Sequence, residues 1–197
     1  MGSHGHCISP CNPNGSPAKA NQIYFIMNNY QAAATVAAEA DSDFAGLNAQ
    51  NFNAADILGW AAAETGYIGP AGSSDSALRG GNNDYFDLKA GPLWINQVAC
   101  PSGYNTYWAC FGSFQGAAEA ALFSPTQYGS YQGLSGISAG YVLGQQLGSG
   151  ASLSTAFQVM SKAVGFAQNQ KYGSDVNRAI NSVTSLVNCL QQSHAIP

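Results

Sequence analysis

Carboxylates are scarce in this chain, and one of them stands where a carboxylate is hardest to keep. Only ten Asp and Glu side chains occur in 197 residues. Glu64 lies in the run GWAAAETGY, one helical turn after Trp60 and nearly two after Ile57, so it continues an apolar face. A carboxylate in such a place needs a partner or a task. Burial and the negative end of a helix dipole both hold its proton on. A carboxyl still protonated near neutral pH is equipped to act as a general acid, giving its proton to the oxygen of a leaving group. Other chemistries lack their parts. The three histidines, His4, His6 and His194, fall in the terminal tails, so no held base exists for a serine or cysteine triad. His4, His6, Cys7 and Cys11 match no closed zinc pattern, and LRGGNND lacks the Lys-Ser/Thr of a phosphate loop. Neither a metal nor a cofactor is expected.

The elements that must position Glu64 are mostly helical. Residues 18–45 read as a helix with Ile23, Ile26, Met27 and Tyr30 at helical spacing. A second, buried and Ala-rich helix starts after Asn53, a good N-cap, with Asp56 in its first turn and Gly66 as its stop. Residues 67–113 turn to Gly, Asn, Pro and aromatics, which predicts loops and a short β-hairpin closed by Cys100 and Cys110. Helical patterns return in FQGAAEAALFS, GISAGYVLGQQL, LSTAFQVMSKAVGF and SDVNRAINSVTSLVNCLQQ. The last carries Val176, Ile180, Val183 and Leu186/Val187 on one stripe. Glycine-rich stretches such as GSYQGLSG read as turns between helices. The expected fold is mainly α with a small β-hairpin. A flexible tail, residues 1–17, precedes a single domain over 18–197.

Composition narrows the partners. Charged residues make up 8% of the chain, about a third of the usual share, and the net charge is −4. Six scattered Lys and Arg form no patch for nucleic acid, and no apolar run is long enough to insert into a membrane. Cys100 and Cys110 flank a turn-rich loop that a disulfide would close, stabilising the fold by roughly 2–4 kcal/mol and implying an oxidising compartment. Cys189 has Cys7 or Cys11 as its partner, which leaves one thiol over. No apolar h-region follows Met1, so secretion or periplasmic action without a classical signal peptide is expected.

Three motifs in order resemble the glucosaminidase family of peptidoglycan hydrolases, glycoside hydrolase family 73 of the lysozyme-like superfamily. AAAETGY, Ala61–Tyr67, is similar to its A-x-x-E-[ST]-G-[WY] pattern, with the acid at Glu64. Asn82, Asn83, Phe86, Asp87, Leu88, Lys89 and Ala90 resemble its N-N-x-F-G-[IV]-K-[AG], and Trp94 follows as the family's tryptophan does. GFAQNQKY, Gly165–Tyr172, resembles its G-[YF]-A-x-[DN]-x-x-Y, which places Tyr172 in the site wall. The likeness spans roughly residues 18–190 and implies a lysozyme-like domain that cleaves the N-acetylglucosamine/N-acetylmuramic acid backbone of peptidoglycan. Asn82 and Asn83 would hydrogen-bond N-acetyl and hydroxyl groups, or serve turns. Trp94, Tyr104, Tyr107 and Trp108 would stack on sugar rings or pack in the core, and Tyr128 is a further aromatic of the site.

One departure bears on mechanism. The family often takes a second acid from its hairpin, yet no Asp or Glu lies between Lys89 and Glu119. Asp87, where the family has Gly, and Asp84 and Asp75 are the remaining candidates. Without them the substrate's own N-acetyl oxygen or C6 hydroxyl would complete the reaction, the latter as in lytic transglycosylases. A non-catalytic peptidoglycan-binding module on the same scaffold is the alternative. Paired cysteines without a leader also suit an interbacterial toxin, whose producer would need an immunity protein as partner.

Overall fold

The computed structural model describes residues 11–12, 17–48, 52–66, 83–91, 94–100, 107–126, 130–166 and 169–197. In chain order these form α1 (Pro17–Asp43), α2 (Ala54–Thr65), α3 (Phe114–Phe123), the short strands β1 (Ser130–Tyr131) and β2 (Leu134–Ser135), α4 (Ala139–Gly148), α5 (Leu153–Val164) and α6 (Tyr172–Gln192). Among the described residues the protein is mainly helical with one small antiparallel hairpin. No described helix is long and apolar enough to cross a membrane.

α2 is the central helix. Ala54 to Ala62 are all buried, and only Ala63 and Glu64 break the burial before Thr65. Its ends are fixed as the sequence predicts. Asn53 accepts a hydrogen bond from the Ala55 amide, Asp56 Oδ2 accepts one from the Asn53 amide at 2.6 Å, and Gly66 closes the helix in a left-handed conformation (φ 72°). α1 packs on one side of α2 and α6 on another; α5 and α4 follow behind α6. The α2–α6 contact is close because Gly59 has no side chain. A Cβ there would lie 2.5 Å from the Cα of Ile180.

The predicted stripe of α6 is in the core, with Val176, Ile180, Val183 and Val187 buried and Leu186 packed against them. On α1 the reading needs a correction: Ile23 and Ile26 are buried, but Met27 is 42% exposed and Phe25 takes the inward position. α1 is rich in Ala on every side, so its apolar stripe is too faint to phase by pattern alone.

The regular hairpin lies between α3 and α4, in a stretch that reads as a glycine-rich turn. Gln132 and Gly133 both have positive φ (51° and 82°), the two-residue turn whose twist matches antiparallel strands. In the region where a hairpin is expected, the pairing among the described residues consists of isolated antiparallel bridges, Lys89 with Trp108 and Gln97 with Phe111. Residues 107–111 are thus flanked on both sides, and the Cys100–Cys110 disulfide closes one of them. A second disulfide joins Cys11 to Cys189 of α6, and Cys11 and Asn12 are buried. Cys7 lies outside the described residues.

Candidate active site

Three elements meet at Glu64: the C-terminal end of α2, the first residue of α6 and the segment 83–91. The α2 helix carries Trp60 and Glu64 one turn apart, on the same face. Trp60 is wholly buried and packs edge-on against Phe86 and Phe157, with ring centroids 5.1 Å and 5.5 Å away, and tilted against Phe166 at 5.4 Å. Its polar atom is used as well. The indole Nε1–H donates to the Tyr172 hydroxyl at 2.8 Å, and that hydroxyl donates in turn to Glu64 Oε1.

Tyr172 reaches this position because α6 begins there. The Gln158 side chain of α5 bridges the start of α6, donating to the Asn169 carbonyl at 3.0 Å and accepting from the Gly173 amide at 3.1 Å. One orphan amide of the first turn is satisfied in this way. Tyr172 is 8% exposed, and burial, then the neighbouring Glu64, push its hydroxyl pKa well up. It therefore acts as a proton-bearing donor, not as a phenolate.

Burial raises the Glu64 pKa to about 7, from an ordinary value of 4.5. The Tyr172 hydrogen bond pulls it back, the charge of Asp87 pushes it further up, and Trp60 lowers it slightly. The carboxyl is thus held near half-protonation at neutral pH, as an acid catalyst requires.

Segment 83–91 brings the other carboxylates. Phe86 and Leu88 are buried while Asp87 and Lys89 are exposed. Asp84 is fully buried. Its Oδ1 accepts from the Phe86 amide at 3.2 Å, and its Oδ2 has no hydrogen-bond partner among the described residues. Burial pushes its pKa to about 7; hydrogen bonds from the Leu88 and Phe86 backbone hold it back, and Asp87 and Glu64 add to the rise. Asp87 has φ 57°, a backbone conformation that favours glycine. Glu64, Asp84 and Asp87 therefore form one interacting group of acids.

The remaining candidates divide. The Asn83 side-chain amide donates to the Phe111 carbonyl at 3.0 Å, which ties the segment to residues 107–111. Trp94 Nε1 donates to the Lys89 carbonyl at 2.6 Å and its ring is half-buried against the core. Tyr107 is 52% exposed and edge-on to the half-buried Trp108 at 4.8 Å, and Lys89 Nζ stands 5.5 Å from the Tyr107 ring centre. Asn82, Tyr128, Asp75 and Tyr104 lie outside the described residues. Among the described residues no group of three or more His, Cys, Asp or Glu is arranged to hold a metal ion.

Sequence reasoning missed Trp60 as a hydrogen-bond donor, although its place one turn before Glu64 was a usable signal. It also did not anticipate that Asp84 is wholly buried beside two other acids.

No protein-family model and no curated protein sequence matches the chain. Among solved structures it is similar to the crystal structure of peptidoglycan hydrolase from Sphingomonas sp. A1, with 20% identity and a TM-score of 0.47, over 89% of this chain and 97% of that one. A mutant of that hydrolase gives 18% identity and a TM-score of 0.44, over 84% and 99%. These likenesses assign no role to any residue of this chain.

Proposed function

We propose that the chain is a lysozyme-like glycoside hydrolase that cleaves the N-acetylglucosamine/N-acetylmuramic acid backbone of peptidoglycan. The observation that carries this reading is Glu64: a carboxyl at the end of a buried helix, with a pKa of about 7 and a buried tyrosine hydroxyl bonded to it. The ordered motifs around Glu64, Asn83–Ala90 and Tyr172 supply the substrate class. Two disulfides suit work in the oxidising space outside the cytoplasm, where that polymer lies.

Glu64 in its protonated form gives its proton to the glycosidic oxygen as the bond to the anomeric carbon breaks. The positive charge that develops on the sugar is met by Asp87, whose charge already acts on Glu64. Water then adds to the anomeric carbon and returns a proton to the Glu64 carboxylate. Tyr107, Trp108 and Trp94 offer ring faces and edges to the pyranose units beside the scissile bond.

The test is digestion of purified sacculi with mass spectrometry of the soluble products. The wild type should release muropeptides with new reducing ends. Glu64→Gln should fold normally and lose at least about a thousandfold in turnover. Intact sacculi after wild-type treatment would leave only a binding module, and undiminished turnover by Glu64→Gln would remove Glu64 from the chemistry. Products ending in 1,6-anhydro rings would mean that the substrate's own C6 hydroxyl replaces water.

A further inference from the structure

Trp60 has a place in the core that its ring alone explains, but its N–H points to a second task. An indole N–H can only donate, so the Tyr172 oxygen, 2.8 Å away, must accept. A phenol has one proton, and the Tyr172 hydroxyl lies in hydrogen-bond contact with Glu64 Oε1. With its oxygen already engaged by Trp60, that hydroxyl is turned to donate to Glu64. Oε1 is then an acceptor in both states of the acid, and a proton on Glu64 belongs on Oε2. We propose that Trp60 is a positioning residue: by fixing the direction of the Tyr172 hydroxyl, it decides which oxygen of Glu64 carries the acid proton.

The alternative arrangement shows why this matters. Without the indole donor, the Tyr172 oxygen is free to accept, and a proton on Oε1 would point at the tyrosine rather than at a substrate. Glu64 would then be protonated but aimed inward. The two arrangements hold the same atoms and differ only in the direction of two hydrogens. Trp60 tips the balance because it is wholly buried, wedged between Phe86, Phe157 and Phe166, and shielded from bulk solvent. In a low-dielectric site each bond of the Trp60–Tyr172–Glu64 series also polarises the next, which strengthens the hold on the ionised carboxylate.

The consequence for catalysis rests on the reading of Glu64 as a proton donor, whereas the hydrogen-bond order can be tested without it. The decisive variant replaces the indole of Trp60 by benzothiophene, incorporated as 3-benzothienylalanine, which keeps the ring shape and removes the N–H. Trp60→Phe is its genetically encoded companion. The Glu64 titration is followed by carboxyl 13C NMR, and turnover on sacculi is measured in parallel. The Glu64 pKa should rise by at least about half a unit, since a donor to the ionised form is weakened, and kcat should fall about tenfold with little change in KM. In a Tyr172→Phe background the same replacement should move the Glu64 titration much less, because only the weaker direct effect of the indole on Glu64 remains. An unmoved Glu64 titration in the folded benzothienyl protein, or an equal shift when Tyr172 is absent, would overturn the proposal. Failure of Glu64→Gln to reduce turnover would strike the hydrolase reading alone and leave the NMR result standing.

Discussion

Glu64 and Asp87 act on one another, yet they are held in opposite ways. Glu64 belongs to a 12-residue helix capped at both ends, buried over nearly its whole length and locked by a hydrogen bond from Tyr172. Asp87 is exposed, has a left-handed backbone and stands on a segment whose strand pairing among the described residues is one isolated bridge. Both arrangements are costly, but the cost falls on different things. The α2 side gives up the solvation of a charge, and this is what shifts a proton's affinity. Segment 83–91 gives up backbone ease, which shifts where a carboxylate is placed and leaves it in contact with water. An acid that must hold and release a proton benefits from the first, and a group that must stay ionised beside a developing cation benefits from the second.

The comparison is most severely tested by separating the two helices that define the rigid side. Gly59→Ala places a methyl 2.5 Å from the Cα of Ile180, so α2 and α6 must move apart. Overpacking of this kind costs roughly 1–3 kcal/mol, and it should lower Tm and draw Tyr172 away from Glu64. Thermal melts and the Glu64 titration would register both effects. A variant with native Tm would show that α2 and α6 are more loosely packed than the close approach at Gly59 implies.

The pH dependence of stability tests the buried side directly. Asp56 is raised to about 6, and Glu64 and Asp84 to about 7, in each case mainly by burial. A carboxyl whose pKa is raised by folding binds its proton more tightly in the native state than in the unfolded chain. Its contribution is therefore intact below the unfolded values near 4 and is lost as pH climbs towards about 7. Stability should fall between about pH 4 and about pH 7, by several kcal/mol in all, since one pKa unit corresponds to about 1.4 kcal/mol. Asp84→Asn should flatten part of that slope. Urea denaturation at several pH values would measure it, and a rise in stability over the same range would contradict the burial of these acids.

The smallest effect is expected at Asp87. Asp87→Gly suits the backbone at φ 57°, so Tm should stay level or increase, by an amount equivalent to at most about 1 kcal/mol. Turnover on sacculi should nevertheless fall about tenfold or more. Undiminished turnover would shift the second role to Asp84 or to the substrate.

The helices were legible in the sequence because their ends are written in short-range chemistry. Asn53, Asp56 and Gly66 mark α2 within a dozen residues, and Ser113, Ser138 and Ser152 likewise cap α3, α4 and α5. The stripe Val176–Val187 needed only the helical period. By contrast, the Gln132–Gly133 hairpin was hidden, since Gln is an uncommon first residue for a turn with two positive φ angles. Met27 was misplaced because the alanines around it leave its helix without a clear inward face. At the site, Glu64 stood out through its apolar neighbours together with a motif, and Tyr172 through a motif. The bond from Trp60 to Tyr172 spans 112 positions, and no local pattern encodes such a meeting. Asp84 was hidden for a related reason: only the assembled core decides that an Asp in a run of polar residues is wholly enclosed.

The Cys11–Cys189 bridge spans 178 positions, so everything between the two cysteines is a covalent ring. Constraining so large a loop in the unfolded chain is worth about 5 kcal/mol on chain-entropy grounds. Its topological effect is separate from that energy. A single cut by a protease anywhere between the two cysteines opens the ring without releasing a piece, and the fragments stay tethered for as long as the bond is oxidised. In a space rich in proteases the molecule can be nicked once and still be held together, whereas a reducing environment would let the same nick divide it.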